Sequence, residues 1–343
     1  MSVSAGDHPK INFQKEEDPE KLAAFEAHID AGGLIELDDW KPEAYRVGML
    51  RMAEHHANSE IIGALPEGEW ISRAPSLKRK LALTAKVQDE VGHGQMLYRV
   101  SQDLGKPRDE MLRDLCEGRT KYHNVFNYPA PTWGDVAMIQ WLVDGAAIMN
   151  QKSLADGSYA PYVRTMKRIN MEEAFHFKSG EDMVLTMMSG TQRQKEMAQD
   201  AFDRWWWPCV MFFGPPDNES SKTGPFMRWR IKTKTNDTLR QEFVNRFAPA
   251  ALDLGLKINI VTRDEKGLVI EKHEDPNLAY DKSSGNWTFS TPDWDEFYRV
   301  IRGNGPCNKE RIDLRRFSHA QHQWVRKAVM GQSNGKHPLP PGA

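Results

Sequence analysis

Two Glu-x-x-His tetrapeptides, Glu90-Val-Gly-His93 and Glu173-Ala-Phe-His176, lie in separate stretches that both carry a helical pattern. On a helix, side chains three apart share a face, so each tetrapeptide aims a carboxylate and an imidazole at one point. Each also has an acid one helix upstream: Glu60 stands thirty residues before Glu90, and Asp144 twenty-nine before Glu173. The matched spacing predicts a helix pair used twice, with ligands in corresponding places. Four helices giving one carboxylate each, two of them adding a histidine, make the ligand set of a carboxylate-bridged dinuclear metal centre in a four-helix bundle. The neighbours are apolar, with Val87, Val91, Met96 and Leu97 in one helix and Ile169, Phe175 and Val184 in the other. Glu and His buried among such residues are costly unless they pair or bind a cation.

Composition removes several other classes. The 343 residues are 39% hydrophobic and 27% charged, which suits a soluble globular chain, and a net charge of -2 gives no case for nucleic-acid binding. Cys116, Cys209 and Cys307 are odd in number and lack Cys-x-x-Cys spacing. They point to a reducing compartment and away from disulfides, zinc or iron–sulfur clusters. The start of the chain has no charged-then-apolar leader, and no apolar run approaches the roughly 20 residues of a membrane span. The expectation is a cytoplasmic protein with neither nucleic acid nor membrane as partner.

The chain divides into an N-terminal arm (1–40), a bundle (41–214), a C-terminal extension of helices plus a β-hairpin (215–330) and a disordered tail (331–343). Bundle helices are expected at about 41–62, 76–104, 133–156 and 159–188. Gly63-Ala-Leu-Pro-Glu-Gly68 is expected to end the first, and Pro75 to open the second. A long aromatic- and proline-rich connection, 105–131, joins the second helix to the third, as the crossover of ferritin-like bundles does. The third helix is apolar almost all round and therefore buried, so Asp144 within it demands a partner. The block Trp205-Trp-Trp-Pro208 is expected to pack against the bundle, and 257–272 to form the hairpin. The fold class is mainly α: a ferritin-like four-helix bundle with a helical extension and a small β-hairpin.

Four carboxylates and two imidazoles suit iron or manganese better than copper or zinc. Six ligands on two metals leave positions open to dioxygen and solvent, and oxygen activation is the chemistry such a centre supplies while the protein orients the reactants. Glu60, Glu90, Asp144 and Glu173 would be the catalytic carboxylates, with His93 and His176 completing the metal ligands. Asp89 and Glu172, just ahead of each tetrapeptide, either face solvent or accept the far N–H of a ligand imidazole. Lys86, one turn before Glu90, points either toward the site or outward.

Several longer stretches carry a more specific likeness. Lys86-Val-Gln-Asp-Glu-Val-Gly-His93, Trp141-Leu-Val-Asp-Gly-Ala-Ala147 and Glu172-Glu-Ala-Phe-His176 are the longest near the ligands, with Glu60 in place upstream. Leu65-Pro-Glu-Gly-Glu-Trp-Ile-Ser-Arg-Ala-Pro75, Phe126-Asn-Tyr-Pro129, Trp206-Trp-Pro208, Phe213-Gly-Pro215 and Asn236-Asp-Thr-Leu-Arg240 extend the match. Together they resemble the catalytic (alpha) subunits of bacterial ring-1,2-phenylacetyl-CoA epoxidases, multicomponent ferritin-like di-iron monooxygenases. The likeness is close over about 35–255 and resumes at 293–311. It implies two irons and O2 acting on phenylacetyl-CoA in aerobic phenylacetate breakdown, to form a 1,2-epoxide. It implies electrons from NADPH through a separate flavin and iron–sulfur reductase. The partners it implies are a small bridging subunit and a metal-free, ferritin-like structural subunit. The six ligands carry over without departure.

The same resemblance implies thioester contacts at Arg51, His55, Lys121, Tyr122, His123, Asn124, Met211, the 220–222 loop, Lys232 and Asn308. Here His55, His123, Asn124 and the 220–222 loop depart from the family's pattern, and the hairpin is longer than the family's. Competing readings are a benzoyl-CoA epoxidase of the same chemistry, a ferritin-like iron-storage or peroxide-detoxifying protein, a radical-generating reductase component, and a scaffold component without catalysis. Storage proteins end soon after the fourth helix, whereas this chain continues for about 150 residues.

Overall fold

The structure is a computed structural model and describes residues 11–13 and 15–331. The tail expected at 331–343 lies outside the described residues except for Gly331, as does the start of the arm. The fold is mainly α, a ferritin-like bundle with a helical extension and two small antiparallel strand pairs. After α1 (Pro19–Asp30), the bundle consists of α2 (Glu43–Gly68), α3 (Leu77–Asp103), a third helix in three parts, and α7 (Ala160–Met188). The third helix runs through α5 (Trp133–Met138), a π-helical turn (Ile139–Val143) and α6 (Asp144–Ala155), and α4 (Arg108–Cys116) lies in the crossover before it.

Inward rows at helical spacing set the bundle. On α3 the buried positions include Leu83, Lys86, Glu90, His93, Leu97, Tyr98 and Ser101. On α7 they include Tyr162, Met166, Ile169, Glu173, His176, Gly180, Met183 and Met187. Each ligand sits in the middle of a mostly apolar stripe facing the core, which on α3 also carries Lys86 and Ser101. The Ser76 hydroxyl caps α3 by accepting from the Arg79 amide at 3.2 Å. Pro75 therefore precedes the cap instead of opening the helix as expected.

The expected break at 63–68 does not occur, and α2 continues to Gly68. Gly63 is there for close approach, since a Cβ would come within 2.7 Å of the Phe126 ring. Pro66 lies in the last turn of α2 and is itself buried. Packing overrides the local preference to stop, and the extra turn carries Glu67 into the interior.

The third helix is buried almost throughout, as its composition implies. Asp135 fixes it against α8 (Gln192–Val210): it caps α5 through Thr132 and receives Arg204 Nε at 2.7 Å and Trp205 Nε1 at 3.0 Å. Trp205, Trp206 and Trp207 pack as core. The π-helical turn departs from the continuous α-helix expected there. Gly180 of α7 lies against it so closely that a Cβ would stand 2.4 Å from the carbonyl carbon of Gln140 and the amide nitrogen of Trp141.

The extension comprises α9 (Thr223–Arg228), α10 (Asn236–Asp253), the hairpin β1 (Asn259–Arg263) and β2 (Val269–Glu274), a second pair β3 (Ala279–Asp281) and β4 (Asn286–Thr288), α11 (Trp294–Arg299) and α12 (Asn308–Val329). The first hairpin is clamped to α8: Trp207 Nε1 donates to Asn259 O at 2.7 Å, and Lys272 pairs with Asp203 at 2.7 Å. Tyr128 of the crossover donates to Glu296 on α11 at 2.7 Å. The extension thereby packs against the crossover and the bundle.

Because both sides of the Gly180 contact are backbone, neither yields without unwinding a helix. Gly180→Ala is expected to destabilise the protein by about 1–3 kcal/mol, read as a lowered denaturation midpoint. A midpoint equal to wild type would show that the two helices can separate there freely.

Candidate metal centre

The six expected ligands converge from four helices into two overlapping groups. Glu60, Glu90, His93 and Glu173 bring one donor atom each within 4.8 Å of one another, and so do Glu90, Asp144, Glu173 and His176. All six are buried. Glu90 and Glu173 belong to both groups, which is the position of carboxylates that bridge two cations. Glu60 and His93 serve one group only, Asp144 and His176 the other.

The imidazoles show how the donor set is oriented. His93 Nε2 lies 2.8 Å from Glu172 Oε2, and His176 Nε2 lies 3.1 Å from Asp89 Oδ2. The pairing is crossed: the acid on each helix serves the histidine of the other. A carboxylate only accepts, so the far nitrogens carry the protons and each Nδ1 is turned inward. His93 Nδ1 is buried without a hydrogen bond. It faces carboxylate oxygens of Glu173 at 3.4 Å, Glu60 at 3.7 Å and Glu90 at 4.0 Å. His176 Nδ1 faces Glu90 and Glu173, both at 3.4 Å. A nitrogen ringed by carboxylates at more than contact distance fits a cation held among them, and an oxygen-rich set with two imidazoles fits iron or manganese.

Charge balance is consistent with that fit. Burial opposes protonation of both imidazoles, yet the surrounding carboxylates outweigh it and raise each pKa to about 11. Protons thus hold the positions of positive charge that metal ions would take. Lys86 points inward, bonded to Glu90, to Glu67 at 2.9 Å and to Asp144 at 3.1 Å. Burial works against its charge, but Asp144, Glu67 and Glu90 prevail and keep it firmly protonated. Asp144 is pushed well above the usual carboxylate range by burial and by the neighbouring acids.

The cluster opens into a cavity of about 330 Å³. Glu60, Glu90, Asp144 and Glu173 lie on its wall, with Phe126, Ile139, Val143, Phe212, Phe297 and Ile301 among its apolar lining and Lys121, Lys222 and Lys232 among its basic one. Residues 15–324 match the family described as phenylacetic acid catabolic protein. The chain belongs to that family. It is 44% identical over 313 residues to the A component of the 1,2-phenylacetyl-CoA epoxidase of Escherichia coli strain K12, covering 91% of this chain and 96% of that one.

In this member of the phenylacetic acid catabolic family, the expected thioester contacts divide. His55, Lys121, His123, Asn124, Lys232, and Ser220 and Lys222 of the 220–222 loop lie on the cavity wall. Arg51, Tyr122, Met211 and Asn308 do not. Tyr122 turns into a separate apolar cluster with Ile62, Leu115 and Ile312, where its hydroxyl receives Asn308 Nδ2 at 3.0 Å. Met211 is core. Arg51 stays near the wall: burial first, then the charges of Arg51 and Lys121, lower the pKa of Lys222. His55 is held neutral, its pKa pushed down to about 4 by burial and nearby cations. His123 stacks on Phe212 with ring centres 3.7 Å apart.

Sequence reasoning missed Glu67, His56, Tyr162 and Gln140. Glu67 is two turns beyond Glu60 and His56 one turn before it, so the face-sharing that revealed the tetrapeptides would have revealed both. The supposed helix end at 63–68 hid Glu67, whose carboxylate also receives Gln140 Nε2 at 3.0 Å.

Two outcomes follow from shared and unshared ligands. In anaerobic Fe2+ titrations, Glu60→Ala is expected to keep one tight equivalent and Glu90→Ala none, with helical content unchanged by circular dichroism. Two tight equivalents in Glu90→Ala would rule out the bridging position. Lys86→Met is expected to lower metal-free stability by about 3 kcal/mol, since it strands buried carboxylates, and added Fe2+ to restore most of it. A metal-free variant as stable as wild type would show that the ammonium is dispensable.

Proposed function

We propose that this chain is the oxygenase subunit of a phenylacetyl-CoA epoxidase, adding one oxygen atom across the ring carbon that bears the side chain and its neighbour. The observation that carries this reading is one cavity walled by the four ligand carboxylates, an apolar stretch and, away from them, Lys121, Lys222 and Lys232. Glu60, Glu90, His93, Asp144, Glu173 and His176 would hold two iron ions. Bound there, the irons supply reductive activation of O2: with two electrons and two protons, one oxygen atom enters the substrate and the other leaves as water.

The chain's own residues supply the rest. The apolar lining around Phe126, Ile139 and Val143 suits an aromatic ring and excludes water from beside the carboxylates. Lys121, Lys222 and Lys232 suit the phosphates of coenzyme A as point charges. Burial lowers the pKa of all three, that of Lys232 to about 8, so an anion beside them relieves crowded positive charge. The crossed Asp89 and Glu172 contacts keep both imidazoles facing inward. Electrons would come from NADPH through a separate flavin and iron–sulfur reductase. The working complex would include a small bridging subunit and a ferritin-like structural subunit. The Escherichia coli relative is named as one component of its enzyme, which supports a multi-subunit assembly.

The test is reconstitution with partner subunits and reductase under oxygen-18 gas. One labelled atom is expected in the product, dependent on phenylacetyl-CoA, and none in Glu90→Ala or His176→Ala. Labelling that persists in either variant would remove the site. Comparable turnover of benzoyl-CoA would favour the related epoxidase instead. Lys232 is protonated below its pKa and loses its charge above it, so kcat/KM for the thioester is expected to fall as pH rises through about 8. Lys232→Ala is expected to raise KM and flatten that fall, and an unchanged profile would take Lys232 out of thioester binding.

A further inference from the structure

One ligand is held differently from the others. Glu60 has its two carboxylate oxygens committed in opposite directions. Oε2 faces His93 Nδ1 at 3.7 Å, inside the first ligand group. Oε1 is taken by His56 Nε2 at 2.8 Å, from one turn earlier on α2. The other nitrogen of the same ring, His56 Nδ1, lies 2.8 Å from the Tyr162 hydroxyl, which reaches across from α7. Tyr162 is 1% exposed and lies on α7 three turns before Glu173. His56, Glu60 and Tyr162 all line the cavity.

With Glu60 ionised, as a metal ligand is, and the His56 ring neutral, these contacts run in one direction. An ionised carboxylate has no hydrogen to give, so Nε2 must carry the proton shared with Glu60. In the neutral ring Nδ1 is then an acceptor, and only the phenol hydrogen of Tyr162 can satisfy it. Two contacts on opposite edges leave the imidazole one orientation, with no freedom to flip. Neither His56 nor Tyr162 is among the donor atoms of the two ligand groups.

We propose that His56, locked in tautomer and orientation by Tyr162, is a positioning residue that restricts Glu60 to single-oxygen ligation of the metal on the His93 side. The inference rests on the two-metal reading of the cluster. With a metal bound there, holding one oxygen back would leave it one carboxylate donor fewer. Without His56 the carboxylate would be free to swing and to offer both oxygens to that metal.

The test uses the full chain, stripped of metal and titrated with Co2+ alone, with no thioester or reductase present. Wild type is expected to bind two equivalents. His56→Ala is expected to weaken one of them by about 10- to 100-fold, the range for loss of a residue that orients a ligand, and to reduce the visible absorption of bound Co2+ as its coordination number rises. His56→Gln, whose amide N–H can still reach Oε1, is expected to restore most of the wild-type titration and spectrum. Tyr162→Phe is expected to fall between, because the ring keeps its donor but loses its lock. A purely structural role would lower thermal stability in all three and leave the spectrum alone. Wild-type titrations and spectra in His56→Ala and Tyr162→Phe would overturn the proposal, as would His56→Gln behaving like His56→Ala. Should His56→Ala fail to fold, the Gln and Phe variants decide it. A wild-type chain that binds no Co2+ overturns both the proposal and the two-metal reading, whereas normal titrations without epoxidation sink only the assigned reaction.

Discussion

Concentrated negative charge in a helical interior is the condition around which this fold is arranged. Glu60, Glu67, Glu90, Asp144 and Glu173 are all buried within the bundle, against Lys86 and two imidazoles. A lone buried ion costs several kcal/mol, and a cluster of like charges costs more unless each member has a partner. Every device near the centre answers that cost. Lys86 ties three carboxylates together, the imidazoles are braced from outside, and His56 and Gln140 hold oxygens of Glu60 and Glu67. The stability that tolerates such a site comes from elsewhere, from a core in which Trp141, Trp205, Trp206, Phe243 and Phe247 are each 2% exposed or less.

The parts beyond the four helices shape what can reach the charge. Phe126 of the crossover and Phe297 and Ile301 of the extension share the cavity wall with the bundle. The Cys307 amide donates to the Asn127 carbonyl and the Tyr128 hydroxyl to Glu296, which ties those two segments to each other. The chamber is therefore built jointly by the bundle, the crossover and the extension.

Much of this is legible in the sequence. The 3.6-residue period put Glu90 with His93 and Glu173 with His176, and matched spacing found Glu60 and Asp144. The all-round apolar third helix announced its burial, and the polar–apolar alternation after Lys257 announced the hairpin. What failed has physical causes. Gly63 and Pro66 are local breakers, but Gly63 makes room for Phe126 and a helix end is not chosen by local preference alone. The π-helical turn at 139–143 has no sequence signature. It lies against Gly180 on another helix, a contact between residues far apart in the chain. Tyr122, Met211 and Asn308 have side chains suited to a ligand, and only the fold shows that they do not line the cavity. Crossing of Asp89 and Glu172 was equally hidden, since each acid is adjacent in sequence to the wrong tetrapeptide.

That crossing bears on how the bundle moves. Each of α3 and α7 sends an acid to its neighbour's imidazole and receives one in return, so the two contacts lie side by side and run in opposite directions. Sliding one helix along the other by a single turn, about 5.4 Å, would part both at once, and no shift of either sign relieves one by tightening the other. The pair behaves as a double stitch that fixes axial alignment. Side-chain rotation and opening perpendicular to the axes remain as the motions by which the centre can respond to what enters the chamber.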